Sequence, residues 1–182
     1  MSLWVLLLRG INVGGTGKLP MKDLKAHLLA LGADAPETYI QSGNAIFAGD
    51  IDPEAFANDL TALIQTHHGH APRVLVLPSD ELIAARAAFP FPEGRERPKF
   101  ANIWFCTAPP STPDLARLDE VASATERFAL DGSWFFLDAP DGIGRSKLAE
   151  RVEKALGVPA TARNLNTVNT LAEMIRARET AP

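Results

Sequence analysis

The densest chemistry in this chain lies in twelve residues, Arg9-Gly-Ile-Asn-Val-Gly-Gly-Thr-Gly-Lys-Leu-Pro20. Four glycines (Gly10, Gly14, Gly15, Gly17) and two cations (Arg9, Lys18) sit between an apolar run and an amphipathic helical pattern. Glycine lets a backbone approach a ligand closely and aim several amides at one point. A helix start adds partial positive charge. A loop of this kind suits an anion, phosphate or carboxylate; read without a ligand, it is a flexible glycine-rich connector. It does not match the standard nucleotide motifs. A Walker A loop would need glycine at Asn12 and a hydroxyl residue at Leu19, and the dinucleotide fingerprint is interrupted by Pro20.

Three further segments carry side chains of the same type. Asp141-Gly-Ile-Gly-Arg-Ser-Lys147 precedes another helical pattern. Ser146 there can cap the helix, while Arg145 and Lys147 can face an anion. Thr161-Ala-Arg-Asn-Leu-Asn-Thr167 offers Arg163, whose guanidinium fork matches phosphate or carboxylate, and Asn164 and Asn166, either of which can be a helix cap. Gln41-Ser-Gly-Asn44 reads first as a hairpin turn, in which Ser42 and Asn44 serve the backbone and Gln41 can contact an amide or base.

Other reactive residues point away from catalysis. Thr66-His-His-Gly-His70 ends a helix with no carboxylate or cysteine beside it in sequence, so solvated histidines and no metal are expected. Cys106 follows Trp104-Phe105 in an apolar run and reads as core. No nucleophile elbow or ordered Ser-His-Asp set appears. Asp138 and Asp141 flank the second glycine loop, where loop chemistry accounts for them as well as a cation would.

The elements that must position these loops follow from periodicity. Leu3–Arg9 is a strand. Met21, Leu24, Leu28 and Leu31 mark a helix running to Gly32. Thr38–Gln41 and Asn44–Phe47 flank Ser42-Gly43 as a hairpin. Asp52-Pro53 opens a helix with Phe56, Leu60, Leu63 and Ile64, and Arg73–Leu77 is a strand. Ser79-Asp80 starts a short helix through Ala88. The order βαββαβ is that of a ferredoxin-like sandwich.

Residues 89–99, with three prolines, a glycine and five charges, read as a linker. The second half repeats the outline as strand (Phe100–Cys106), helix (from Thr112-Pro113), hairpin (around Asp131-Gly132) and helix (Leu148 to Gly157). Polar residues 161–167 stand where a fourth strand would complete it. The expected fold is therefore α+β: a ferredoxin-like domain over 1–88, a linker over 89–99, and a related βαββα half over 100–182 with a C-terminal capping helix.

Composition bounds the function. With 182 residues, 46% hydrophobic, the chain can bury a core. A net charge of −4 argues against non-specific DNA coating, although Arg145, Lys147, Arg151, Lys154 and Arg163 can form a local basic face. One cysteine fits a reducing cytoplasm. The apolar N-terminus lacks the basic region of a signal peptide, and no run is long enough for a membrane span.

These segments together resemble the bacterial domain-of-unknown-function family 1697. The resemblance rests on Arg9-Gly-Ile-Asn-Val-Gly-Gly15, Leu19-Pro-Met21, Thr38-Tyr-Ile-Gln-Ser-Gly-Asn44, Gly142-Ile-Gly-Arg-Ser-Lys-Leu148, Thr161-Ala-Arg-Asn164 and Asn166-Thr-Val168. It implies a small cytoplasmic α+β protein with a ferredoxin-like part, and assigns no reaction or cofactor.

The leading functional expectation is binding of a phosphate-bearing small molecule or nucleotide. Arg9, Asn12, Arg145, Ser146, Lys147 and Arg163 would hold the anion; Gly14, Gly15 and Lys18 would shape and charge the first loop; Gln41, Ser42, Asn44, Asn164 and Asn166 would contact the remainder. The alternatives are a nucleic-acid or protein adaptor, and a phosphate-ester transferase or hydrolase. The enzyme reading needs a general base or metal that the sequence does not display, Asp141 being the nearest carboxylate.

Overall fold

The structure, a computed structural model, describes residues 1–180; the last two residues of the expected 100–182 half lie outside them. The chain divides into two compact units, one of Met1–Ile83 with the chain from Leu171 on, the other Ala84–Thr170.

In the first unit, β1 (Ser2–Arg9), α1 (Met21–Ala30), β2 (Asp34–Tyr39), β3 (Asn44–Gly49), α2 (Pro53–His68) and β4 (Arg73–Pro78) follow the expected order, and α3 (Ser79–Ala88) comes next. The sheet is antiparallel in the order β2-β3-β1-β4. Leu6 and Leu8 of β1 alternate onto one face, where they join Phe47, Leu24 and Leu28 of α1, and Phe56, Leu60 and Ile64 of α2 in a single core. Phe47 and Phe56 stack with centroids 5.0 Å apart. Asp52 caps α2 by accepting the Ala55 N–H at 2.8 Å, and Gly69 ends that helix in the left-handed conformation.

The second unit contains α4 (Pro92–Glu96), β5 (Ala101–Cys106), α5 (Leu115–Asp119), β6 (Arg127–Asp131), β7 (Trp134–Asp138), two short 3₁₀ turns, α6 (Val152–Leu156), β8 (Ala160–Asn164) and the start of α7 (Leu165–Glu179). The residues read as lacking a fourth strand form one. β8 pairs antiparallel with β5, placing Arg163 opposite Ile103 and Asn164 opposite Asn102. The polar sequence hid the strand, but β5 is buried along its whole length and its second edge needs hydrogen-bonding partners. The order β6-β7-β5-β8 therefore reproduces that of the first sheet. Trp104, Cys106, Phe135 and Leu137 meet Leu118 of α5 and Val152 and Leu156 of α6.

Residues 89–99 also differ from the expected linker. Phe89 and Gly94 are buried, and a Cβ on Gly94 would lie 2.8 Å from the Phe89 ring. Pro92 opens a one-turn helix, as proline can at a first helical position. Arg95 Nη2 donates to the Ala87 and Phe89 carbonyls at 2.8 and 2.7 Å. The charges are used in tertiary pairs: Arg127 binds Glu93 and Asp138, both at 2.9 Å, and Arg97 also reaches Asp138 at 3.3 Å. Hydrogen bonding to Arg127 holds the Glu93 carboxyl below its ordinary range. The buried Asp138 carboxylate thus faces two guanidinium groups.

The capping helix differs in its allegiance. α7 starts in the second unit, but its last turns belong to the first, where Arg178 pairs with Glu37 at 2.8 Å.

Cys106 is buried as expected, and burial, with a smaller contribution from the charge of Glu153, raises its thiol pKa from 9.0 to about 11. The folded thiol keeps its proton where the unfolded thiol loses it. The associated stability is complete below pH 9 and is lost as pH rises towards about 11. Urea unfolding of the wild type should therefore show a fall in midpoint across that alkaline window that is absent from Cys106→Ala, and the native thiol should react slowly with Ellman's reagent at pH 8.

Candidate functional site

The glycines of the first loop make a hairpin. Gly14 and Gly15 have φ of 57° and 81°, the geometry of a type I′ turn, and the flanking residues pair through Val13 N to Thr16 O at 3.3 Å and Thr16 N to Val13 O at 2.9 Å. Asn12 N donates to Gly17 O at 2.9 Å. The amides of Asn12, Val13 and Thr16 are thus paired within the loop. At Gly17, a Cβ would meet the Gly10 carbonyl oxygen at 2.3 Å, so only glycine fits.

Asn12 closes this loop and ties it to the next. Its Nδ2 donates to Leu19 O at 2.9 Å and to Gln41 O at 2.8 Å, while its Oδ1 accepts the Leu19 N–H at 2.9 Å. Its φ of 52° is one that asparagine tolerates. Asn44 is buried and donates to Tyr39 O at 3.2 Å and Ser42 Oγ at 2.9 Å. Gly43 fits against Leu8 and Ile11, where a Cβ would meet Leu8 Cβ at 2.5 Å. The structure thus brings the 9–20 and 39–44 loops together and uses Asn12, Ser42 and Asn44 to hold them. Arg9, Lys18 and Gln41 are exposed beside them.

Arg9 ends β1 directly opposite Arg73, the first residue of β4. Both line an open groove of about 600 Å³, with Asn58 and Thr61 contributed by α2. Among the described residues that line this groove there is no carboxylate. The Thr61 hydroxyl donates to Ala57 O at 2.8 Å, leaving its oxygen lone pairs as acceptors. Sequence reading found Arg9 and missed Arg73, Asn58 and Thr61. Only the strand register reveals Arg73, and only the packing of α2 reveals the other two.

In the second unit, Arg145, Ser146 and Lys147 line a cleft of about 340 Å³ together with Glu126, Asp141 and Gly142. Ser146 accepts the Ala149 N–H at 2.9 Å, at a 3₁₀ turn over Ala149–Arg151 that replaces the start of the expected helix, α6 beginning only at Val152. Asp141 accepts the Thr125 hydroxyl at 2.6 Å, and Glu126 accepts the Ser123 N–H at 2.8 Å. This cleft has carboxylates as well as cations on its walls.

Arg163 stands on β8 and is not among the residues lining that cleft. Its Nη1 donates to Ala162 O at 2.8 Å, and desolvation lowers its pKa to about 10, leaving it charged at neutral pH. Asn164 is the cap of α7, accepting the Thr167 N–H at 3.0 Å; Asn166 is exposed on the first turn.

Because Asn12 combines a left-handed backbone with three hydrogen bonds, Asn12→Ala should lower stability by about 2 kcal/mol, read as a reduced urea midpoint. Asn12→Gly relieves the backbone but loses the bonds, and should fall between the alanine variant and the wild type.

Comparison with known proteins supports the fold. No curated protein matches the chain. The solved structure titled "The structure of conserved bacterial protein SP0830 from Streptococcus pneumoniae" is 23% identical, with a TM-score of 0.66 over 95% of this chain and 98% of that one. At that identity the likeness is one of fold. Among the described residues no helix is long and apolar enough to cross a membrane. The profile of the family described as "Protein of unknown function (DUF1697)" matches residues 1–136, covering both loops of the first unit and stopping short of those at 141–147 and 161–167. Three quarters of the chain thus fits one family pattern, and the protein belongs to the DUF1697 family.

Proposed function

We propose that this protein binds a phosphate-bearing small molecule or nucleotide, with Arg9 and Arg73 holding its anionic group. The observation that carries this reading is the cross-strand placement of the two arginines. Cross-strand partners on an antiparallel ladder stand close enough for both side chains to reach one bound group. Two guanidinium forks match the oxygens of a phosphate. Asn58 and Thr61 supply neutral hydrogen-bonding groups on the helical wall of the groove. Its volume of about 600 Å³ is in the range of small-molecule sites. Lys18 and Gln41 are exposed on the adjoining loops.

Binding fits this groove better than hydrolysis, because none of the described residues lining it is a carboxylate, histidine or cysteine that could act as a general base. The cleft at Arg145 and Lys147 is a second place for an anion, but Glu126 and Asp141 offset its positive charge.

A thermal-shift screen with inorganic phosphate, nucleotides, sugar phosphates and short oligonucleotides tests the reading. A ligand at a hundred times its Kd stabilises by about 2.7 kcal/mol, which corresponds to roughly 5–10 °C for a chain of this size. The shift should be lost in Arg9→Ala/Arg73→Ala and kept in Arg145→Ala/Lys147→Ala. The opposite pattern would move the site to the second unit. No shift with any phosphate compound would overturn the reading, and a response confined to oligonucleotides with steep salt dependence would favour a nucleic-acid adaptor.

A further inference from the structure

All four histidines of the chain gather at one place in the first unit. His27 lies in the last turn of α1, His67 and His68 close α2, and His70 follows the Gly69 cap. The Nε2 atoms of His27 and His68 are 3.1 Å apart, and their rings meet edge to face with centroids 5.3 Å apart. The His67 ring is also 5.3 Å from that of His27. Asp23, one turn before His27 on α1, lines the same cleft of about 320 Å³. In sequence the histidine run has no carboxylate or fourth imidazole near it; the packing of α1 against α2 supplies both.

We propose that His27 and His68 bind a divalent first-row transition metal ion, zinc foremost, between the C-terminal turns of α1 and α2. Two imidazole nitrogens each about 2.0–2.1 Å from one tetrahedral ion stand roughly 3.3 Å apart, close to the spacing already present. Imidazole donors suit zinc, copper and nickel, whereas magnesium and calcium prefer all-oxygen sites. The helix ends contribute as well. The last turns of α1 and α2 both face the cleft, and the partial negative charge of a helix C-terminus favours a cation.

Among the described residues no group of three or more His, Cys, Asp or Glu side chains is arranged to hold a metal ion. The site is therefore an open two-imidazole bite. Water fills the remaining positions. A hydrogen bond between the two rings occupies the same spacing without metal, and the ion takes its place. His70 is excluded from the set, since its Nδ1 lies 3.2 Å from the His68 carbonyl oxygen and its ring is 6.4 Å from that of His68.

The test uses tag-free full-length protein and zinc chloride, followed by calorimetry, with cobalt(II) absorption as a report on coordination. One ion should bind per chain. His27→Ala and His68→Ala should each weaken binding by at least about tenfold, the loss that even an outer-shell change produces, while His70→Gln should retain it. Zinc should also shift the ring nitrogen NMR signals of His27 and His68 in the wild type, a readout independent of any variant's folding. Absence of saturable one-to-one binding, unchanged affinity in both alanine variants, equal loss in His70→Gln, or unmoved His27 and His68 ring signals would each overturn the assignment. None of these outcomes bears on the anion groove.

Discussion

Each unit depends on one strand that must be satisfied on both edges and covered on both faces. In β1, Val5, Leu6, Leu7 and Leu8 are all buried, so successive side chains on opposite faces are both shielded from water. Its backbone is paired by β3 on one side and β4 on the other. β5 is in the same position between β7 and β8. A buried strand with an unpaired edge would leave backbone polar groups without partners, at a cost comparable to losing each hydrogen bond. That requirement explains why the polar stretch 160–164 is extended and why the two sheets share one strand order.

The central strand also places the groove. Arg9 is the residue at which β1 leaves the core, and the register with β4 brings Arg73 beside it. The glycine-rich segment next to it is a folded turn. Its glycines accommodate left-handed turns and close backbone approaches, and Asn12 fastens it to the 39–44 loop. The charged groups are then displayed on a braced frame, which suits ligand contact better than a flexible connector would.

Much of the fold was legible locally. The strands and helices of the first half, both hairpins and the buried cysteine follow from apolar spacing, turn residues and caps. The segment 89–99 was misread because prolines and charges are ordinarily linker residues; here Pro92 starts a helix, and Arg95 and Arg97 find partners inside the unit. β8 was missed because Thr-Ala-Arg-Asn has no apolar alternation, and only the open edge of β5 selects its conformation. The last turns of α7 join the first unit although the sequence places that helix after the second sheet.

The candidate sites divide in the same way. Sequence by itself determined which residue types are present and which local turns they can make, because caps, turns and apolar periodicity depend on neighbours a few residues away. It determined the cations of the loops and the core identity of Cys106, and it offered Asn164 as one of two possible caps of α7. Only the tertiary structure decided that Arg9 faces Arg73 and that His27 meets His68. Those pairings join residues 64 and 41 positions apart in the chain. They are set by strand register and helix packing, which no local signal encodes.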